Sequence, residues 1–211
     1  DLLDDERSQV YGGVDTESPR AIAAVDATAG EVLVYRHRLV STHFHSCCGG
    51  HTCAVETAWT GSNRIRALQG VRDSFCEGTP HFKWSKLIPT STVLGLLPEK
   101  DPTRPLRLKS VSIGRRDRSG YVRLLKFETN EGTVRMRGDD LRKRLGPTVL
   151  RSTYLTKVSM KKDGVQFAGS GWGHGVGLCQ WGARRQAQRG RKYRNILKFY
   201  YPGTKVAKWK T

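Results

Sequence analysis

No apolar run in this sequence exceeds a handful of residues. A membrane-spanning helix needs about 20, so nothing in the 211 residues is patterned for a bilayer interior. Acidic residues are scarce, with 19 Asp+Glu against 37 Lys+Arg and a formal net charge of +18. Internal repeats are missing. No Gly-Lys-Ser/Thr closes a phosphate loop, and no βαβ unit surrounds the one glycine-rich stretch, which excludes the P-loop and dinucleotide-binding classes. The chain has neither an initiator Met nor a signal peptide, and Asp1-Leu2-Leu3-Asp4-Asp5-Glu6 reads as the interior of something longer. Only two methionines occur, Met136 and Met160, and neither follows a glutamate.

The charge that is present is lopsided. Asp1 to Lys100 carries 10 basic and 12 acidic residues, and Asp101 to Thr211 carries 27 and 7. A half that basic calls for an anionic partner: nucleic acid, a membrane surface or an acidic wall polymer. The 5 Trp, 7 Tyr and 6 Phe suffice to anchor a core.

Ser18-Pro19, then Ile22, Val25, Ala29 and Gly30, predict a capped helix. Val32 to Tyr35 and Leu39 to His45 flank Arg36-His37-Arg38 as a hairpin, with His43 and His45 on one face of the second strand. Proline-interrupted Pro80 to Pro105 reads as a connecting segment with a short helix near Thr92 to Leu97. Strands are expected at Leu106 to Ile113, Tyr121 to Glu128 and Thr133 to Met136, followed by a helix from Gly138 to Leu145. Arg151 to Met160 and Val165 to Ala168 form another hairpin. Helices are expected from Val176 to Arg189 and from Tyr193 to Tyr200, the latter stopped by Pro202-Gly203. The class is α+β, mainly antiparallel hairpins with a few short helices and a glycine-rich groove loop before a C-terminal helix. The expected organisation is a core from 1–80 and 150–211 with a β-rich inserted subdomain at 81–149.

Two constellations carry chemistry. The first is His45-Ser46-Cys47-Cys48-Gly49-Gly50-His51-Thr52-Cys53. Imidazoles and thiolates are zinc ligands, and His45, Cys48, His51 and Cys53 lie close enough to fold around one ion, with Cys76 as a ligand from a separate loop. The spacing matches no standard zinc finger, and disulfides or free thiols are the alternative. Adjacent Cys47 and Cys48 do not pair, because that ring is strained. The second is Gly171-Trp172-Gly173-His174-Gly175-Val176-Gly177-Leu178-Cys179-Gln180-Trp181-Gly182-Ala183. Glycines let a backbone approach a ligand closely. Trp172 offers a sugar-stacking face and His174 a hydrogen-bonding group, so His174 is expected to be a groove residue; the alternative for the whole stretch is a tight structural turn that packs a helix on a sheet. Cys179 is expected on the apolar face of the helix, in the core.

Together these residues resemble the stage II sporulation protein D (SpoIID) family, also called the amidase-enhancer or LytB-type domain. The resemblance rests on Gly171 to Ala183, Tyr200-Tyr201-Pro202-Gly203-Thr204, Ser8 to Gly13, Ala24 to Val34, His45 to Thr52 and Arg151-Ser152-Thr153. It implies action on bacterial peptidoglycan in an extracytoplasmic, cell-envelope setting. Some members are lytic transglycosylases that leave a 1,6-anhydro end, and others stimulate wall amidases. The implied partners are glycan strands and a wall amidase. Nucleic acid is a weaker candidate, since no matching fold motif accompanies the charge. Expected substrate-binding residues are Trp172, His174, Gln180, Ser46, His51 and Thr52. Some members bind zinc near the Cys-Gly-Gly loop, which implies one structural zinc on the set His45, Cys48, His51, Cys53 and Cys76. The family's catalytic glutamate lies in a Glu-Met-Pro-like motif upstream of the Ser-Gln-Val-Tyr-Gly-Gly segment. None of the eight glutamates here has that context, so the catalytic residue is unknown and this chain holds the groove and scaffold.

Overall fold

A computed structural model describes residues 17–99, 101 and 103–209. The Ser8 to Gly13 motif lies outside them. Helix α1, Pro19–Ala27, begins as expected: the Ser18 side chain accepts from the Ala21 amide, and Pro19 occupies the first turn. It buries none of its residues, and Ile22 and Val25 face outward.

Strand β1, Glu31–Tyr35, turns through Arg36 and His37, both at positive φ, into the two-residue β2, Arg38–Leu39. The expected long second strand stops there. Phe44–His45 is a separate short strand, β3, in a different sheet. It is drawn away because it pairs in parallel with Leu178–Cys179, which we label β10 in chain order. Short helix α2 is Val55–Ala58, followed by a tight turn at Arg66–Leu68.

Two three-stranded antiparallel sheets build the β-rich half. Strands β5, Leu108–Arg116, β6, Val122–Thr129, and β7, Gly132–Arg137, pair in the order β5-β6-β7. Leu125, Phe127 and Thr129 alternate inward along β6. Strands β4, Lys83–Pro89, β8, Leu155–Lys161, and β9, Gly164–Ser170, pair in the order β4-β9-β8. Trp84 therefore sits opposite Gly169, and its ring occupies the space a Cβ on that glycine would fill. The apolar core here combines Ile88, Val93, Leu125, Phe127 and Leu141 with Leu155, Val165 and Phe167, drawing on both sides of position 150. Helix α3, Thr90–Leu94, and helix α4, Gly138–Leu145, belong to this half. In α4, Asp139 and Asp140 lie in the first turn and Arg142, Lys143 and Arg144 in the last, complementing the helix dipole.

The other core is richer in sulfur and includes Leu33, Cys47, Cys48, Cys53, Val55, Cys76, Tyr121, Val176, Cys179, Tyr200 and Tyr201. Helix α5, Gln180–Gln188, and helix α6, Tyr193–Tyr200, close it, and β11, Lys205–Lys208, returns to pair with β1. No helix among the described residues is long and apolar enough to cross a membrane.

The two cores are joined by the glycine-rich segment. Trp172 exchanges both main-chain hydrogen bonds with Cys47, at 2.7 and 3.0 Å. The Cys53 amide donates to Gly175 O at 2.7 Å, and the Leu178 amide to His43 O at 3.0 Å. Gly177 has φ +73, and a Cβ there would collide with the His43 carbonyl. Gly190 has φ +79 with open space around it. Gly177→Ala should therefore cost more than the strain of a left-handed residue alone, about 1–3 kcal/mol, because backbone must also move. Gly190→Ala should cost only about 1–2 kcal/mol. Urea midpoints of the two variants test the difference; equal losses would show that the close approach contributes nothing.

Candidate glycan-binding groove and thiol cluster

Trp172 is half-buried with the Arg151 guanidinium 4.7 Å from its ring centre. His81 meets it edge-on at 4.7 Å and continues to Trp181 at 6.2 Å. Arg184 lies over Trp181 at 5.1 Å. The result is a line of three aromatic rings, Trp172, His81 and Trp181, flanked by the guanidinium groups of Arg151 and Arg184 and drawn from four parts of the chain. Rings of this kind offer apolar faces to sugar rings, and the guanidinium groups offer fixed donors. The sequence pointed to Trp172. His81, Arg151 and Arg184 were missed, because only the fold sets them beside the two tryptophans.

His174 has both ring nitrogens engaged. Nε2 donates to Phe44 O at 2.9 Å and Nδ1 accepts from the Val176 amide at 3.0 Å. The ring also packs against Trp59 at 4.9 Å, His45 at 5.5 Å and His43 at 6.3 Å. The two ring nitrogens thus hold the glycine-rich segment to β3. The remaining expected binding residues are dispersed. Gln180 is exposed at the start of α5, and the Ser46 carbonyl accepts from the Trp181 amide at 3.1 Å. Thr52 is fully buried, its hydroxyl accepting from the Val71 amide at 2.7 Å, while His51 is half-buried with Nδ1 2.7 Å from the Thr52 carbonyl.

The expected metal ligands separate into two groups. Cys48 and Cys76 come together, with their sulfurs 3.3 Å apart. Cys53 points elsewhere, toward Ala54 O at 3.4 Å and the Asp117 carboxylate at 4.0 Å. His45 is buried with Nδ1 3.1 Å from Val176 O, and its Nε2 has no hydrogen-bond partner. The places beside Cys48 and Cys76 are taken by Asp73 and Cys179, and one ligand atom from each of these four residues lies within 4.8 Å of the others. Cys179 is the N-cap of α5, where its sulfur accepts from the Gly182 amide at 3.4 Å. All five cysteines are buried, and none forms a disulfide.

Burial pushes the His45 imidazole down to about 4. For His174, burial and then the neighbouring His45 and His43 push it to about 3. A histidine whose pKa falls on folding supplies stability above its unfolded value of about 6.5 and loses it as the pH drops toward the folded value. The melting temperature should therefore fall as the pH is lowered from 6.5 to 4, and His45→Gln should flatten part of that slope. An unchanged slope in the variant would count against His45 as a source.

Residues 54–177 match a family model described as a domain of unknown function, DUF8618. The chain is 31% identical over 206 residues to an uncharacterized protein of Brachyspira hyodysenteriae, covering 98% of this chain and 54% of that protein. It is 29% identical to the amidase enhancer of Bacillus subtilis, covering 95% of this chain and 34% of the relative. It is 26% identical to stage II sporulation protein D of the same organism, covering 92% and 52%. The chain thus spans between a third and about half the length of these relatives. The matching domain family covers more than half of the 211 residues, and the similarity to the two Bacillus proteins runs through both cores, so the chain belongs to the DUF8618 family and to the SpoIID/amidase-enhancer family.

Proposed function

We propose that this chain binds the glycan strands of bacterial peptidoglycan, in the cell envelope, as the substrate-holding part of a lytic-transglycosylase-type protein. The observation that carries the reading is the line Arg151–Trp172–His81–Trp181–Arg184. Its rings suit the apolar faces of sugars, and its guanidinium groups suit the carboxylates and carbonyls that wall glycans carry. The relatives named for sporulation and for amidase enhancement support a role at the cell wall.

Cleavage of a glycosidic bond needs a carboxylic acid to protonate the leaving oxygen. Several described carboxylates already have other work. Glu31 accepts from Tyr193 and Arg194, Glu56 from Gln69, and Glu128 from Thr133. Asp139 pairs with Arg137, and Asp73 is buried among thiols. The acid would come from a carboxylate outside this chain. The second reading, an activator of a wall amidase, draws on the name of the relative that is 29% identical.

Glycan binding, stability, muropeptide release and the rate of a wall amidase separate these ideas. In a pull-down with purified sacculi and denuded glycan strands, the chain should bind, and Trp172→Ala should weaken binding several-fold. His174→Ala should instead lower stability by about 1–3 kcal/mol, because the Val176 amide and Phe44 carbonyl lose their partner. Equal binding by Trp172→Ala and the parent would move the groove elsewhere. The chain alone should release no 1,6-anhydro muropeptides from sacculi beyond a boiled control. Release above that control would assign the acid to this chain, whereas a faster wall amidase on addition of the chain would favour the activator.

A further inference from the structure

The thiol cluster is outside the proposed groove and has no part in glycan stacking. Four buried side chains from three distant segments converge there: Cys48 from the Cys-Gly-Gly loop, Asp73 and Cys76 from the next loop, and Cys179 from the start of α5. Besides the 3.3 Å between Cys48 Sγ and Cys76 Sγ, Cys48 Sγ lies 3.3 Å from Asp73 Oδ2. Tetrahedral zinc with Zn–S bonds of about 2.3 Å sets neighbouring sulfurs about 3.8 Å apart. The observed spacing is far longer than the about 2.05 Å of a disulfide, and the four donor atoms lie within 4.8 Å of one another, a small side-chain adjustment from tetrahedral spacing.

The surroundings fit anionic sulfur. Cys179 Sγ accepts from the amides of Cys48, at 3.3 Å, and Gly182, at 3.4 Å; Cys48 Sγ accepts from the Gly50 amide at 3.4 Å. The N-terminus of the nine-residue α5 adds its positive dipole end at Cys179. The carboxylate is oriented as well: Tyr200 donates to Asp73 Oδ2 at 2.8 Å, and the Phe75 amide to Oδ1 at 2.9 Å. Such partners, one bond removed from the ligands, fix ligand geometry in metal sites. Gly182 makes the approach possible, since a Cβ there would collide with the Tyr200 hydroxyl and the Asp73 carboxylate.

We infer that Cys48, Asp73, Cys76 and Cys179 form a closed, structural site for one thiophilic divalent cation, with zinc the ion whose ligand types and tetrahedral geometry they match. Four protein donors fill the coordination shell, so the site leaves no position for a substrate. The ligand set differs from the one expected from the loop alone. His45, His51 and Cys53 are excluded, and Asp73 and Cys179 are included. Binding displaces the thiol protons, which leave to solvent as the metal–sulfur bonds form. The ion would clamp the Cys-Gly-Gly loop to α5 and so hold Cys47, which forms an isolated bridge with Trp172.

The test uses the intact chain, purified under reducing conditions without added metal or chelator. Elemental analysis should find about one zinc per chain. Replacement by cobalt(II) should give the near-ultraviolet sulfur-to-metal charge-transfer band of a thiolate-rich tetrahedral site. Cys179→Ser and Asp73→Asn should weaken retention of the ion, while His51→Ala and Cys53→Ser keep it. Should the cysteine variant be insoluble, the cobalt spectrum of the unmutated chain and the two retaining variants still decide. Metal content far below one per chain, a cobalt spectrum without thiolate bands, or loss of the ion in His51→Ala with retention in Cys179→Ser would overturn the assignment. These readouts do not depend on glycan binding, so the site stands or falls apart from the proposed function.

Discussion

Everything in this structure hangs on how closely the backbone of Gly171 to Gly177 lies against the Cys-Gly-Gly loop. Glycines alternate with Trp172, His174 and Val176, and all four of Gly171, Gly173, Gly175 and Gly177 have positive φ. On one side the segment exchanges main-chain bonds with Cys47 and Cys53. On another it bonds to the Phe82 and Arg151 carbonyls. At Gly175 the Tyr121 ring, itself buried, sits where a side chain would be, and its hydroxyl donates to Cys48 O at 2.9 Å. A Cβ at Gly171 or Gly177 would meet the Cys47 or His43 carbonyl, and one at Gly173 or Gly175 the His45 or Tyr121 side chain, so each replacement would push the segment off its partners. The same approach presents Trp172 outward and Val176 inward, so one stretch serves both the surface and the interior.

That arrangement decides how the thiol cluster is reached. The sulfurs come from positions 48, 76 and 179, and the carboxylate at 73 is held by Tyr200 from the last helix of the chain. Burial raises the Asp73 carboxyl and the Cys48 thiol, while hydrogen bonds from neighbouring Cys179 and Cys47 lower the Cys76 thiol.

Much of the fold was legible because local signals were strong. Helix α6 runs from Tyr193 to Tyr200 as its i,i+4 pattern and following Pro202-Gly203 indicate. The β5-β6-β7 meander follows from alternation and polar turns, and Ser18-Pro19 marks the start of α1. The misses were all non-local. Strand β11 is four residues long, and its partner lies more than 170 positions earlier, so no local pattern announces it. Strand β3 is two residues long and exists only because β10 pairs with it. Helix α5 begins at Gln180 and not near Val176, because the Cys53 and His43 contacts hold the preceding residues in extended form. Cys179 read as a core residue on a helical face; it is buried, and it is also the N-cap. A cysteine three residues before a glycine at a helix start was the available signal. Asp73 carried none beyond its spacing to Cys76.

The pairing of β1 with β11 has a consequence for architecture. Glu31 lies opposite Lys208, the Trp209 amide donates to Gly30 O at 2.7 Å, and the Lys208 ammonium reaches Ala29 O at 2.7 Å. Entry and exit of this stretch of chain therefore stand side by side on one edge. A unit with that geometry can be spliced into a surface loop of another polypeptide without pulling the host apart, and its ends can be joined and reopened elsewhere with little disturbance.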